Sequence, residues 1–187
     1  IGIIAIISVF LLANLTVLYF YNDIWWDSSV YIGMGKYIFS FGESWLWEES
    51  RPLILPVILG VGWFLDLDIV YFGRLVSIIF AVLVVYLTYI IGIKLFSKKI
   101  ALLAAFFTAF SYNFLFFSPS ILTGIPSTFF VLFAFYFFLN NRFFLIWIFS
   151  GVTDWFVFPR KKTLLRKIRI TAIIPAIPKN IPTNEGM

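Results

Sequence analysis

Seven of the nine carboxylates in this chain fall in one polar loop, residues 22–68, which lies between two apolar segments. They are Asp23, Asp27, Glu43, Glu48, Glu49, Asp66 and Asp68. Only Lys36 and Arg51 oppose them, so the loop has a net charge of about −5, although the whole chain is +5. Because the sequence has neither histidine nor cysteine, any proton transfer must use Asp, Glu, Lys or Tyr. Any metal must have oxygen ligands, which favours Mg²⁺, Mn²⁺ or Ca²⁺.

The acidic residues of the loop have two interpretations each. Asp27, four residues before Tyr31, is either a general base or the N-cap of a helix, since Asp-Ser-Ser is a good capping sequence. Glu48 and Glu49 either bind a divalent cation or a substrate, or are solvated loop charges. Asp66 and Asp68 flank the foot of the next apolar segment, which favours a role as boundary residues.

The composition predicts an all-α polytopic membrane protein with four to five transmembrane helices. Charged residues make up 12% of the chain, about half the share in soluble domains, and the mean hydropathy is +1.01. The predicted spans cover residues 1–21, 69–96, 100–117 and 121–139, with 143–158 as a weaker fifth. Arg74 lies about one and a half turns inside the second span, where a guanidinium is costly unless it snorkels or meets an anion. We therefore expect a phosphate or carboxylate partner for Arg74.

Basic residues predict which side of the membrane each loop faces. Lys94, Lys98 and Lys99 separate the second and third spans, and Arg142 follows the fourth, so these turns are expected in the cytoplasm. The acidic loop is then extracytoplasmic. Its tryptophans Trp25, Trp26, Trp45 and Trp47 favour the membrane interface. The loop is expected to contain an amphipathic helix that lies in the interface and, at residues 52–65, a juxtamembrane or re-entrant helix. The apolar positions of the first helix recur at helical spacing and are Val30, Met34, Tyr37 and Phe41.

The order of these motifs resembles that of a known family. The Asp27…Tyr31 pair, Arg51-Pro52-Leu53 at the start of a short helix, and Arg74 near the start of the second span occur in this order after a first span. In this respect residues 1–150 are similar to the N-terminal part of the GT-C superfamily. These are polytopic glycosyltransferases that use lipid-linked sugars. The resemblance is to the branch with the family 39-type protein mannosyltransferases and aminoarabinose transferases.

The resemblance implies a function and a set of residues. Asp27 would be the catalytic base that activates an acceptor hydroxyl, and arginines would hold the phosphate of a polyprenyl-phosphate sugar donor. Arg51 would serve that phosphate, although an interfacial anchor is an equally good interpretation. The expected substrate-binding residues are Tyr31, Arg51, Arg74, Glu48 and Glu49.

The remaining expectations follow from the same resemblance. The expected partners are the lipid bilayer, the polyprenyl-phosphate donor and a protein, lipid or glycan acceptor, and no nucleic acid is expected. The expected location is the cell membrane. The cofactor is left open: either none, or a divalent cation, Mg²⁺ or Mn²⁺, with oxygen ligands. Two positions depart from the family pattern: Gly124 stands where an acidic residue is common, and Ser28 stands where many relatives have Glu.

These departures keep a second function open, a non-catalytic polyprenyl-phosphate-binding or assembly subunit on the same scaffold. We interpret residues 1–158 as an N-terminal fragment of the transmembrane region. Residues 159–187 form a basic tail with several prolines. The tail is interpreted as attracted to anionic lipid, as external, or as disordered or non-native sequence.

Overall fold

The computed structural model describes residues 2–20 and 24–141. Within these residues the chain forms seven helices and no strand, which confirms the all-α class. The helices are α1 (Gly2–Phe20), α2 (Trp26–Phe39), α3 (Ile54–Phe64), α4 (Ile69–Leu95), α5 (Lys98–Phe110), α6 (Tyr112–Phe117) and α7 (Gly124–Leu139). Asp23, Arg142, the predicted fifth span and the basic tail lie outside the described residues.

Two helices of the described part are long and apolar enough to cross a bilayer, α1 with 19 residues and α4 with 27. At about 1.5 Å per residue these lengths match a hydrocarbon core of about 30 Å. Both coincide with predicted spans. The apolar helices α3 and α7 are shorter, with 11 and 16 residues. In length and composition two of the described helices thus fit a membrane span, and a total of four to five spans stays a prediction.

The third predicted span, residues 100–117, is not one continuous helix. Ser111 separates α5 from α6 because its backbone is extended, with φ −64° and ψ 135°. Its N–H still bonds to the carbonyl oxygen of Phe107, and its hydroxyl donates to the carbonyl of Thr108. The fourth span also begins later than predicted. Its helix starts at Gly124, with Pro126 in the first turn, where a missing N–H costs no helical bond.

The helices α2 and α3 both lie in the predicted loop and pack side by side in the same direction. A Cβ atom on Gly35 would lie 2.7 Å from the carbonyl oxygen of Pro56 and 2.9 Å from the nitrogen of Gly60. Only glycine allows the two backbones to approach so closely at this point. One turn further on, the rings of Phe39 and Phe64 are 6.0 Å apart. Both short helices of the loop are therefore confirmed as helices that pack together.

Of the predicted apolar positions of α2, Val30 and Met34 are buried and Phe41 is not. Burial is not limited to one face, however, because every residue from Val30 to Gly35 is buried. Phe41 lies beyond the helix end with φ +56° and is 94% exposed. The N–H groups of Phe41 and Gly42 bond back to the carbonyls of Ile38 and Tyr37, as in a Schellman C-cap. This cap ends the helix two residues earlier than the sequence periodicity suggested.

The main core lies between α1, α4, α5 and α7. Its members are mostly small or branched side chains, which allow close helix packing. They are Phe10, Ala81, Val84, Val85, Ala105, Ala109 and Ile125. At the far end of α4, a Cβ atom on Gly92 would lie 2.9 Å from the Cα of Ala101, so α4 and α5 almost touch there.

Polar contacts distinguish the two ends of the helix bundle. At one end Asp68 caps α4, because its Oδ1 accepts the N–H groups of Val70 and Tyr71, both at 3.0 Å. This confirms its role as a boundary residue. At the other end Lys94 donates to the side-chain oxygen of Asn140, which connects the C-terminal ends of α4 and α7. The acidic loop and the lysine cluster are thus at opposite ends of α4.

Candidate functional site

The first turn of α2 positions Asp27. The N-cap residue is Trp25, and its side chain makes no capping hydrogen bond, so the interpretation of Asp27 as the N-cap is wrong. Asp27 lies instead in the first turn, where the helix dipole favours a negative charge. Trp25 packs against α6, with its ring 5.7 Å from that of Phe117. The start of α2 is therefore held against the bundle.

Asp27 forms an ion pair with Arg51. The Arg51 Nη2 atom lies 2.7 Å from Asp27 Oδ1, and its Nε atom lies 3.3 Å from Glu48 Oε1. The hydroxyl of Ser50 donates to the same Glu48 oxygen at 3.0 Å. Two residues proposed for different roles, a base and a phosphate ligand, thus contact each other directly.

Tyr31 connects this ion pair with the start of α7. The tyrosine is buried, and its hydroxyl lies 3.4 Å from Thr123 Oγ1, a hydrogen bond in which either hydroxyl can donate. The Arg51 guanidinium carbon lies 5.5 Å from the centre of the Tyr31 ring, which suits a cation–π contact. Hydrogen bonding to Tyr31 raises the pKa of Arg51, partial burial opposes this, and Asp27 raises it further. The guanidinium therefore stays charged at any working pH.

Asp27 and Tyr31 line an open cavity of about 510 Å³. The wall opposite α2 comes from the break between α5 and α6 and from the start of α7. It combines hydroxyl and amide groups with aromatic and aliphatic surface: Ser111, Asn113, Phe114, Phe117, Leu122, Thr123, Gly124, Ile125 and Thr128. Such a mixture suits a small polar ligand with an apolar face, in the usual size range of ligand sites.

Arg74 lines a different cavity. It is 5% exposed and lies with Trp25, Ser28 and Ser120 around a space of about 10 Å³, which is room for about one water molecule. A phosphate group does not fit there. The structure therefore brings together Asp27, Tyr31, Arg51 and Glu48, whereas Arg74 lies in the neighbouring cavity and Glu49 is an exposed loop residue.

The described residues do not fit a metal site. No group of three or more acidic side chains converges anywhere in residues 2–20 and 24–141. Between Asp27 and Glu48 the positive charge is supplied by the Arg51 guanidinium. We therefore derive no step through a divalent cation.

Sequence reasoning missed the residues across the cavity, above all Ser111, Asn113 and Thr123. A signal was present, because Ser111 and Asn113 interrupt an otherwise apolar segment. Gly124, the position where the resemblance implies an acid, lines the cavity, and a Cβ atom added there would meet nothing within 4 Å. The position therefore has room for a side chain that this chain does not provide.

Fold and site define a class: within residues 2–20 and 24–141 the protein is all-helical, has two helices apolar enough to span a membrane, and has an open cavity beside the acidic loop with Asp27 in its wall. Comparison with known proteins adds no family, because no family model, no curated protein and no solved structure matches the chain. The similarity to GT-C enzymes therefore stays an interpretation of residue order and predicted topology.

Proposed function

We propose that this chain is part of a multi-pass membrane glycosyltransferase that transfers a sugar from a polyprenyl-phosphate donor to an acceptor outside the cytoplasm. The observation that carries the proposal is the position of Asp27, a partly exposed carboxylate in an open cavity lined by hydroxyl and amide groups. A general base needs access to the acceptor hydroxyl, and this cavity provides it.

The membrane part of the proposal rests on the surface of the helices. Large apolar side chains are exposed along α1 and α4, among them Leu12, Leu15, Leu75 and Ile79. A face of this kind is stable in lipid and costly in water. The cavity lies beside the acidic loop, at the end of α4 where a lipid phosphate would reach the bilayer surface.

The proposed reaction needs one proton transfer and one substitution. Asp27 accepts the proton of the acceptor hydroxyl, and the acceptor oxygen forms a bond to the anomeric carbon of the sugar. The bond between that carbon and the phosphate oxygen breaks, and the polyprenyl phosphate leaves as an anion. Arg51, which contacts Asp27, is the cation that would stabilise the negative charge of the departing phosphate.

The proposal predicts that Asp27→Asn abolishes transfer while the protein stays folded. The amide keeps the size of the side chain but cannot accept the proton, so turnover should fall by about 10²- to 10⁴-fold. The assay follows release of polyprenyl phosphate from polyprenyl phosphomannose by the purified chain in lipid nanodiscs. Glu43→Gln is the matched control, because it removes one negative charge from the same loop at an exposed position. Full turnover in Asp27→Asn would exclude Asp27 as the base.

The ion pair between Asp27 and Arg51 favours a second candidate, a non-catalytic subunit that binds polyprenyl phosphate. A carboxylate engaged by a guanidinium can serve structure alone, and Gly124 offers no second acid. This candidate predicts binding of polyprenyl phosphate with no turnover of any donor by the unmodified chain. Measurable turnover that is lost in Asp27→Asn would exclude the non-catalytic subunit and support the glycosyltransferase.

A further inference from the structure

Arg51 is a partly exposed cation beside the cavity, in contact with Asp27, which lines it. Its guanidinium has five N–H donors, of which Nη2 contacts Asp27 and Nε contacts Glu48. Its side chain is 23% exposed, so part of it remains accessible. Of the other two described cations of the loop and its adjoining helix, Lys36 lies over the Trp45 ring at 3.9 Å, and Arg74 is buried beside the small cavity.

The charges around Arg51 oppose the arrival of an anion. One guanidinium faces two carboxylates, Asp27 and Glu48, so the cluster has a net negative charge. A phosphate that approaches Arg51 in this arrangement also meets the Asp27 carboxylate. The two negative charges repel each other. Because both would bind the same N–H donors of Arg51, the phosphate and the Asp27 carboxylate compete for them.

We propose that a phosphate group exchanges with Asp27 on Arg51, so that binding of the phosphate frees the Oδ1 atom of a carboxylate that already lines the cavity. The proposal rests on the proposed function, and it names the phosphate of a polyprenyl phosphate as the ligand. Only ionic and hydrogen bonds change. Arg51 turns its Nη2 donor from the carboxylate to the phosphate, and no proton leaves the guanidinium.

The exchange would couple the two substrates of the reaction. While Arg51 holds Asp27 Oδ1, one of the two oxygens of the carboxylate is engaged. After the exchange both oxygens can accept a proton from an acceptor hydroxyl in the cavity. Both oxygens of the base are therefore free only when the donor phosphate is bound to Arg51.

The exchange predicts that Asp27→Asn tightens phosphate binding, although the same change abolishes transfer. The amide does not compete for Arg51, so the affinity for farnesyl phosphate should rise about fivefold, the factor given by about 1 kcal/mol from a partly exposed ion pair. Binding is measured by calorimetry with the chain in nanodiscs of uncharged lipid. Glu48→Gln should act in the same direction. Glu43→Gln has the same charge change away from Arg51 and should leave the affinity unchanged.

A double-mutant cycle separates exchange from simple charge repulsion. If Asp27 acts through Arg51, Asp27→Asn should have no effect in an Arg51→Gln background, which itself should lose at least about tenfold in affinity. An equal gain in both backgrounds, or no gain in either, would overturn the exchange. Far-ultraviolet circular dichroism of each variant verifies that the helices remain. If Arg51→Gln does not fold, Arg51→Lys replaces it, since one ammonium cannot repeat the two contacts.

Three ligands distinguish the source of the phosphate. Farnesyl phosphate carries both lipid and phosphate, inorganic phosphate carries the anion alone, and farnesol carries the lipid alone. Tightening with farnesyl phosphate and not with farnesol supports a lipid headgroup, whereas tightening with inorganic phosphate alone overturns the lipid assignment. The exchange and the proposed function can be refuted independently. Full turnover by Asp27→Asn would refute the role of Asp27 as the base, whereas an unchanged affinity of Asp27→Asn for farnesyl phosphate would refute the exchange.

Discussion

Asn14 shows how one buried polar side chain can fix a helix in this bundle. It is fully buried in α1, where its Nδ2 donates to the carbonyl of Phe10 at 2.9 Å. The hydroxyl of Ser118, just after α6, donates to the Asn14 side-chain oxygen. Between apolar helices such a contact is directional and specifies one arrangement of the helices. It holds α1 against the segment that carries one wall of the cavity.

We therefore expect Asn14→Ala to destabilise the protein by about 1–2 kcal/mol, because it removes the contact to Ser118 and leaves unfilled volume. The matched control is Thr16→Ala. Thr16 makes a similar bond to its own helix, to the carbonyl of Leu12, but is not part of the contact to Ser118. Unfolding of both variants in detergent, followed by circular dichroism, gives the comparison. Equal stability of the two variants would show that the contact between α1 and Ser118 contributes nothing.

At the site, the sequence predicts neighbours along a helix better than neighbours across a loop. The four-residue spacing of Asp27 and Tyr31 puts both on one face of α2, and both line the cavity. The pairing of Arg51 with Asp27 was not predictable from spacing. It depends on the path of the loop back along α2, where Leu46 lies next to Gly33, 3.5 Å from the position a Cβ atom would take there, and Trp45 takes φ +76°. Tertiary contacts of this kind leave no periodic signal.

The pair α2 and α3 is an element whose geometry depends on glycine. The sequence predicted two short helices here, but not that their backbones would touch at Gly35. The break between α5 and α6 at Ser111 was not predictable from composition, since one extended residue barely changes the mean hydropathy of an apolar segment. Periodicity thus located the helices, whereas their contacts and interruptions depend on single residues.

Two glycines in α2 provide a matched pair of substitutions. Gly35→Ala should destabilise the protein by about 1–3 kcal/mol, because its Cβ would lie 2.7 Å from a backbone oxygen that cannot move alone. Gly33→Ala should be neutral or stabilising by up to about 1 kcal/mol, since its Cβ would make only an ordinary 3.5 Å contact to Leu46. Thermal unfolding of both variants measures the difference. A tolerated Gly35→Ala would contradict the close approach of α2 and α3.

At the scale of the whole molecule, charge separates the two ends of the bundle. All six described carboxylates belong to the loop region, and Lys94, Lys98 and Lys99 lie around the turn from α4 to α5. Along α4, between Arg74 and Lys94, the sequence contains neither acid nor base. A helix with this pattern matches a membrane span with its basic end in the cytoplasm and its acidic end outside.

This separation predicts which residues a membrane-impermeant maleimide reaches. The chain has no cysteine, so one introduced thiol reports one position. Ser44→Cys, exposed in the loop, should be labelled in intact cells, whereas Ser97→Cys, exposed between α4 and α5, should be labelled only after the membrane is permeabilised. Neither serine lies in the core. Ser97 caps α5 by accepting the N–H of Ile100, so its replacement costs about 1 kcal/mol, which the fold should tolerate. Labelling of both positions in intact cells would mean that α4 does not cross the membrane. If only Ser97→Cys were labelled in intact cells, the cavity would face the cytoplasm, where an extracytoplasmic acceptor could not reach it.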